Sequence, residues 1–124
     1  EETREQDMKL LKEAGVDIVT LNVFNWAMIQ PSEEPYDFSE LDETVKRVTE
    51  NGMSICMATS TGAHPAWMAR RYPEILRTEF SGLKRKFGGR HNSCPNSYAF
   101  RHFSAELALR LAEHYKDQKN IVLL

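Results

Sequence analysis

Residues 53–96 read MSICMATSTGAHPAWMARRYPEILRTEFSGLKRKFGGRHNSCPN, and this stretch decides the fold. Its first part, Met53 to Thr59, is a short apolar run, which predicts a buried strand. The connection from Ala58 to Asn96 then combines aromatic, basic and glycine residues but contains only two acidic residues. A strand that leads into so long a connection indicates an α/β protein whose functional groups follow its strands.

Apolar residues at helical or strand spacing divide the rest of the chain into alternating elements. The first helix is expected to end at Gly15 and the second at Asn51-Gly52, because glycine favours helix ends. A short third helix is expected to begin at Pro65 and to close at Tyr72, since the residue before a proline avoids helical geometry. The predicted order is α-β-α-β-α-α-β. The predicted helices cover residues 3–14, 39–51, 65–72 and 97–116, and the predicted strands cover residues 16–24, 53–59 and 121–124.

Strands that alternate with helices predict parallel strands joined by right-handed crossovers, with helices covering the sheet. Doubly wound sheets and TIM (β/α)8 barrels share this pattern. A barrel is favoured because no strand precedes the first helix and because the elaborate segments follow strands, where barrels build their sites. Three strands cannot close an eight-stranded barrel. We therefore predict an α/β fold, a partial TIM (β/α)8 barrel containing about strands 2 to 4 with their helices.

The composition is that of an ordinary soluble domain, with 41% hydrophobic and 27% charged positions in 124 residues. No apolar run approaches the roughly 20 residues that a membrane span needs, and the charged start EETREQD differs from a signal peptide. A cytoplasmic location is therefore expected. A net charge of -2 predicts no nucleic-acid or membrane partner. A polyanion site remains an alternative for one local basic cluster, which consists of Arg77, Lys84, Arg85, Lys86 and Arg90.

The two cysteines lie far apart in a chain without secretory features, so a disulfide framework is not expected. Cys56, within SICMATS, is interpreted as a small buried hydrophobic residue. Cys94, within NSCPNS, has no local CxxC partner. Metal binding at Cys94 would therefore need ligands from outside this chain.

A pair of carboxyl groups for acid/base chemistry is not evident in the chain. Glu33, Glu34 and Asp37 lie in a Pro-flanked polar loop and are interpreted as solvated charges. Between Asn51 and Pro73 there is no Asp or Glu. The Gly88-Gly89 pair lacks the spacing of a phosphate-binding loop. A nucleophilic Cys or Ser paired with His stays open, although no nucleophile-elbow motif is present.

Residue types suited to sugar binding are better represented, because sugars are held by aromatic faces and by fixed polar donors. Packing is the favoured interpretation of the two tryptophans, and a structural role is favoured for His64. Arg90 is the strongest candidate, since a guanidinium after two glycines can reach into a cleft and donate several directed hydrogen bonds. His102 and His114, in the last helix, are expected to be surface residues. The candidates that follow strands are Trp26, His64, Trp67, Arg90, His91 and Asn92.

Several separated segments, in the same order, resemble the family 42 glycoside hydrolases, which are bacterial β-galactosidases built on a TIM barrel. The resemblance covers nearly the whole chain. Its motifs are MKLLKEAGVDIVTLNVFNWAMIQP at residues 8–31, YDFSELD at 36–42, ATSTGAHPAWMARRYPEIL at 58–76, KRKFGGRHNSCPNS at 84–97 and LAEHYKD at 111–117.

The resemblance implies a β-galactosidase that cleaves terminal β-linked galactose with retention, through a covalent galactosyl-enzyme intermediate. It implies a cytoplasmic homotrimer that acts on β-galactosides or galacto-oligosaccharides. In the family, the residue matching Arg90 contacts galactose, and the residue matching Cys94 is a zinc ligand in many members, with three partner cysteines expected beyond Leu124. Some members carry a sugar-contacting Arg where this chain has Thr20.

The resemblance also places the acid/base Glu after an Asn at the end of the fourth strand and the nucleophile Glu near the seventh strand. Residues 1–124 are thus expected to be a fragment of an N-terminal catalytic TIM-barrel domain, with no second domain and no activity alone. No cofactor for catalysis is expected, whereas a structural zinc through Cys94 is. The alternatives are another β-glycosidase or mannanase of the same barrel clan, and a non-catalytic carbohydrate-binding module.

Overall fold

The structure is a computed structural model that describes residues 2–124. Strands alternate with helical segments along the chain, as the sequence predicts. No helix in residues 2–124 combines the length and the apolar character that crossing a membrane requires. The helices are α1 (Glu2–Glu13), α2 (Trp26–Ile29), α3 (Ser39–Glu50), α4 (Ala66–Arg71) and α5 (Tyr98–Tyr115), with a 3-10 turn at Pro73–Ile75, and the strands are β1 (Ile18–Leu21), β2 (Ser54–Met57) and β3 (Ile121–Leu123).

The three strands form one parallel sheet in the order β1-β2-β3. β1 and β2 pair in register along their whole length, from Ile18 with Ser54 to Leu21 with Met57. β3 pairs with β2 with a shift in register next to Cys56. Because the strands are parallel, their carboxyl ends meet at one edge of the sheet. The predicted α/β class is confirmed, and the sheet with its helices is consistent with part of an α/β barrel.

Helices cover one face of this sheet. Side chains alternate between the two faces along a strand, and in β2 Ile55 and Met57 are buried whereas Ser54 and Cys56 are only half-buried. On β1, Ile18 remains 50% exposed. The other face is therefore partly open within the described residues. The covered face packs against apolar stripes of α3 and α5, whose buried members are Leu41, Val45, Val48, Ala99, Phe103, Leu107 and Leu111.

A polar contact joins α3 to the end of α5. Asp42 Oδ1 lies 2.8 Å from His114 Nε2 and accepts a hydrogen bond of 2.7 Å from the Tyr115 hydroxyl. Phe38 stacks on His114 with 4.3 Å between ring centroids. Burial and the neighbouring Asp42 raise the pKa of Tyr115. His114 and His102 are exposed, as predicted, but His114 also helps to hold the two helices together.

β1 ends earlier than predicted, and α2 was not predicted, in both cases for local reasons. The strand predicted for residues 16–24 ends at Leu21, because Asn22 has a φ of 65° and a left-handed residue cannot continue a strand. The four residues Trp26–Ile29 then form α2, which is too short to show a helical period in the sequence.

α3 starts at Ser39, as predicted, whereas α4 starts one residue later than predicted. Asp37 Oδ1 accepts a 2.9 Å hydrogen bond from the amide of Ser39, the first residue of α3, and thus pairs one of the free amides of the first turn. Pro65 is the cap residue that precedes α4, and the helix itself begins at Ala66.

The long connection after α4 is a folded excursion rather than an irregular segment. Isolated antiparallel bridges pair Leu76 with Ser93 and Thr78 with Lys84. The Arg77 amide donates to the Asn92 carbonyl at 2.7 Å, so the returning branch lies beside the outgoing one. This doubling back carries the residues after Lys84 toward the carboxyl ends of the strands.

Candidate functional site

The carboxyl ends of β1 and β2 are joined by a small polar network. The Asn22 side-chain amide donates to the Ala58 carbonyl at 2.8 Å, and the Ser60 hydroxyl donates to the Asn22 carbonyl. The Asn25 amide in turn donates to Ser60 Oγ at 3.0 Å. Asn22 and Ser60 are buried and have left-handed φ values of 65° and 60°. These contacts form a rigid floor between the two strand ends.

The turn at residues 88–92 lies over this floor. The guanidinium of Arg90 is 5.4 Å from the centroid of the Phe24 ring, which follows β1. The ring of His91 lies beside Gly62, which follows β2, such that a methyl group on Gly62 would be 3.8 Å from it. The turn therefore brings two of the predicted candidates, Arg90 and His91, to the ends of both strands.

Buried polar side chains hold the base of this turn. His64 Nδ1 and Ser93 Oγ are hydrogen-bonded at 2.6 Å, and the Asn92 side-chain amide donates to the Lys86 carbonyl. His64 is 6% exposed and Asn92 is 3% exposed. Gly89 packs so tightly that a methyl group there would lie 2.8 Å from the Asn92 side chain. His64 and Asn92 thus support the turn from below, whereas Arg90 is exposed on it.

The site carries positive charge without a carboxylate. Arg90 forms no ion pair within residues 2–124, and its face-on contact with Phe24 leaves its donors accessible. The segments that build the site, residues 22–26, 58–65 and 86–93, contain no Asp or Glu. Burial lowers the pKa of His64 below its ordinary value. The exposed guanidinium of Arg90 can bind hydroxyl or anionic groups, but these segments supply no pair of carboxyl groups for hydrolysis.

Glu33 is not the solvated charge that the sequence predicts. The Tyr72 hydroxyl donates to Glu33 Oε1 at 3.0 Å, and Arg71 Nη1 lies 2.7 Å from Glu33 Oε2. Glu33 is therefore half-buried in a contact between the α2–α3 loop and the end of α4. Glu34 and Asp37 are exposed, as predicted, and Asp37 accepts a hydrogen bond from the Ser39 amide at the start of α3.

Both tryptophans serve packing, as predicted. Trp26 is fully buried and its indole N–H donates to Gln30 Oε1 at 2.8 Å. The Trp67 indole N–H donates to the Gln30 carbonyl, also at 2.8 Å, and its ring packs edge-on against Phe103. Neither indole N–H is available to a ligand. Gln30, itself fully buried, was missed by sequence analysis, although its spacing of four residues from Trp26 was a usable signal.

The two cysteines have different surroundings. Cys94 is half-buried, and its backbone amide donates to the Ile75 carbonyl at 2.7 Å. In the part of the chain that the structure describes, no three His, Cys, Asp or Glu side chains cluster to hold a metal. Cys56 is half-buried on the open face of the sheet, because its position in β2 alternates with Ile55 and Met57. The prediction that Cys56 is a buried core residue was wrong.

Comparisons with known proteins agree with this architecture. The family model of glycoside hydrolase family 42, described as β-galactosidase, matches residues 1–124. The β-galactosidase BgaP of Planococcus sp. (strain L4) is 52% identical over 123 residues, which cover 99% of this chain and 18% of that protein. The β-galactosidase BgaA of Planococcus sp. (strain 'SOS Orange') is 54% identical over 119 residues, covering 96% of this chain and 18% of that protein.

A solved structure gives the same result. The crystal structure of β-galactosidase from Bacillus circulans sp. alkalophilus matches with a TM-score of 0.95 and 54% identity, covering 98% of this chain and 18% of that one. The chain belongs to glycoside hydrolase family 42. It spans about 18% of the length of the relatives that it matches.

Proposed function

We propose that this chain is part of a β-galactosidase that releases terminal β-D-galactose with retention. The observation that carries the proposal is the placement of Arg90, an exposed guanidinium without an ion-pair partner in residues 2–124, over Phe24 at the carboxyl edge of the sheet. Sites of α/β barrels lie at this edge. Membership of family 42 and relatives named β-galactosidase support the choice of reaction.

Arg90 would bind the galactose hydroxyl groups. Its position after Gly88 and Gly89 keeps neighbouring side chains away from the guanidinium. Its planar fork can donate two parallel hydrogen bonds to neighbouring oxygens. The contact with Phe24 orients the guanidinium while leaving its edges open. Arg90 therefore serves as a substrate-binding residue rather than a proton donor.

The first test is Arg90→Ala in the complete enzyme. We expect kcat/KM on a chromogenic β-galactoside to fall roughly 30- to 1,000-fold. This corresponds to a loss of about 2–4 kcal/mol of transition-state stabilisation, as for the loss of charged hydrogen bonds. Arg101→Ala is the matched control, because Arg101 is an exposed arginine on α5. A loss of less than tenfold for Arg90→Ala, or an equal loss in the control, would leave Arg90 without a binding role.

The finer architecture is also proposed. We infer that β1, β2 and β3 are strands 2, 3 and 4 of a TIM barrel, and that the catalytic carboxylates come from residues outside the chain. The absence of acidic residues from the site-forming segments supports this inference. The complete enzyme would be a cytoplasmic homotrimer that acts on β-galactosides or galacto-oligosaccharides and uses no cofactor for catalysis.

A structural zinc site through Cys94 is part of the proposal. A half-buried thiol without a disulfide partner has the right donor chemistry and access, since zinc prefers thiolate ligands. The part of the chain that the structure describes offers no cluster of partner ligands around it. Three further ligands would therefore come from residues outside the chain.

The zinc proposal is tested by metal analysis of the complete enzyme. We expect about one zinc ion per subunit in the unaltered protein and a clear loss of zinc in Cys94→Ser. Cys56→Ser is the matched control, because Cys56 lies on the sheet and should leave the zinc content unchanged. Full zinc occupancy in Cys94→Ser would contradict the assignment.

A further inference from the structure

His64 occupies a buried position beneath the turn that carries Arg90. It follows β2, is 6% exposed, and its Nδ1 atom is 2.6 Å from Ser93 Oγ. The Phe87 ring lies against it with 5.6 Å between centroids. Residues from both ends of the turn thus contact one imidazole. Its other nitrogen, Nε2, is buried and has no partner among the described residues.

A short path of contacts connects His64 to Arg90. Ser93, which bonds to His64, is three residues from Arg90 and follows Asn92 directly. The Asn92 side-chain amide donates a hydrogen bond to the Lys86 carbonyl across the turn, and the Asn92 carbonyl accepts one from the Arg77 amide. These contacts anchor the turn at its base. A displacement of Ser93 would therefore move the backbone of the 88–92 turn and change the position of Arg90 relative to the Phe24 ring.

We propose that His64 is a positioning residue for Arg90, which holds the 88–92 turn over the ends of β1 and β2 through its hydrogen bond to Ser93. The inference rests on the proposed function, in which Arg90 binds the galactoside. His64 does not contact the substrate itself. It links the loop after β2 to the returning branch of the long connection through the hydrogen bond to Ser93 and the ring contact with Phe87.

The first measurement is kcat/KM of the complete enzyme on a chromogenic β-galactoside. His64→Phe keeps an aromatic ring but removes the hydrogen bond, and we expect a loss of about tenfold. Ser93→Ala removes the same bond from the other side and should cause a similar loss. His64→Asn, whose side chain can reach Ser93, should restore most of the activity. His102→Phe on α5 is the matched control and should stay within twofold.

A double-mutant cycle separates positioning from general stability. If His64 acts through Arg90, then adding His64→Phe to Arg90→Ala should cost less than about twofold, because the group being positioned is already gone. Losses that multiply instead would show that His64 acts independently of Arg90, which would overturn the proposal. Equal activity of His64→Phe and the unaltered enzyme would overturn it as well.

A second readout does not depend on hydrolysis. Trypsin cleaves after arginine, and cleavage after Arg90 in the native protein reports how firmly the turn is held. We expect faster cleavage there in His64→Phe and Ser93→Ala but not in His102→Phe. If the complete protein does not hydrolyse galactosides, the proposed function fails, and these cleavage rates still decide whether His64 holds the turn. Unchanged rates would overturn the proposal.

Discussion

Three residues at the site hold left-handed backbone conformations that only a specific environment favours. Asn22, Ser60 and His91 have φ values of 65°, 60° and 56°. Such conformations cost on the order of 1–3 kcal/mol for residues other than glycine, and they concentrate at functional sites. Here the hydrogen bonds between Asn22, Ser60 and Ala58 offset the cost at the strand ends. The position of these three residues supports the proposal of a site at the carboxyl edge of the sheet.

His64 should give the complete protein a specific pH dependence of stability. Burial lowers the pKa of His64 below the ordinary value of 6.5. As pH falls below about 6.5, His64 becomes protonated in the unfolded chain but stays neutral in the folded state, which favours unfolding. The contribution of His64 to stability is therefore present above pH 6.5 and is lost as pH falls through the lowered pKa. The melting temperature should therefore drop more between pH 8 and pH 5 in the unaltered protein than in His64→Asn.

The control for this pH series is His102→Asn, because His102 is exposed on α5. Its melting temperature should follow that of the unaltered protein across the same range. An identical pH dependence in His64→Asn and in the unaltered protein would mean that His64 is not buried as the structure indicates.

At the scale of elements, the long connection after α4 depends on buried contacts more than on surface charges. Glu79 and Arg85 form an ion pair of 2.7 Å near the outer turn, but both side chains are more than a third exposed. An exposed pair of this kind contributes about 0–1 kcal/mol. The side chains of Asn92 and His64 are only 3% and 6% exposed, and a buried polar group that loses its hydrogen-bond partner costs more than an exposed one. These inner contacts therefore determine where Arg90 lies.

Two glycines beside the site should respond differently to a methyl group. In Gly89→Ala the new methyl would lie 2.8 Å from the Asn92 side chain, which is fixed by its bond to Lys86. Overpacking of this kind costs about 1–3 kcal/mol. In Gly62→Ala the methyl would meet the His91 ring at an ordinary 3.8 Å.

We therefore expect kcat/KM of the complete enzyme to fall at least about fivefold in Gly89→Ala and to stay within about twofold in Gly62→Ala. Melting temperatures recorded alongside the activity show whether the loss is confined to the turn. Full activity in Gly89→Ala would mean that Asn92 can move aside and does not fix the turn.

On the scale of the whole molecule, only one face of the sheet is packed against other elements within residues 2–124. Its helix-covered face is a continuous core, whereas the other face keeps Ile18 half exposed and Val122, on β3, 59% exposed. Parallel sheets normally have both faces covered. The open face therefore fits the interior of a barrel that further strands would close, which accords with the proposed position of β1, β2 and β3.

Residues 1–124 produced alone should be inactive. The segments at the site lack a carboxylate pair, so we expect no hydrolysis of a chromogenic β-galactoside. The open face, on which Ile18 and Val122 are exposed, should also bind a hydrophobic dye more strongly than the complete enzyme does, as measured by fluorescence. Turnover that survives purification and disappears in Arg90→Ala would mean that residues within the chain supply the chemistry.

The sequence by itself determined the α/β class, the order of the elements apart from the short α2 and the 3-10 turn, and the apolar stripes of α3 and α5. These features follow from local spacing, which needs no knowledge of distant contacts. It also singled out Arg90 and Cys94, whose roles stay predictions. The packing roles of Trp26 and Trp67 were predicted as well, because large aromatic side chains beside strands are most often buried.

Only the tertiary structure decided how the site is assembled. The contacts of Asn22 with Ala58 and of His64 with Ser93 join residues 36 and 29 positions apart, and neither is visible in local spacing. The half-buried state of Cys56 and the ion pair of Glu33 likewise depend on which elements lie opposite them. Local pattern specifies the elements because their hydrogen bonds are short-range, whereas the site is specified by side chains that meet only after the sheet and helices have packed.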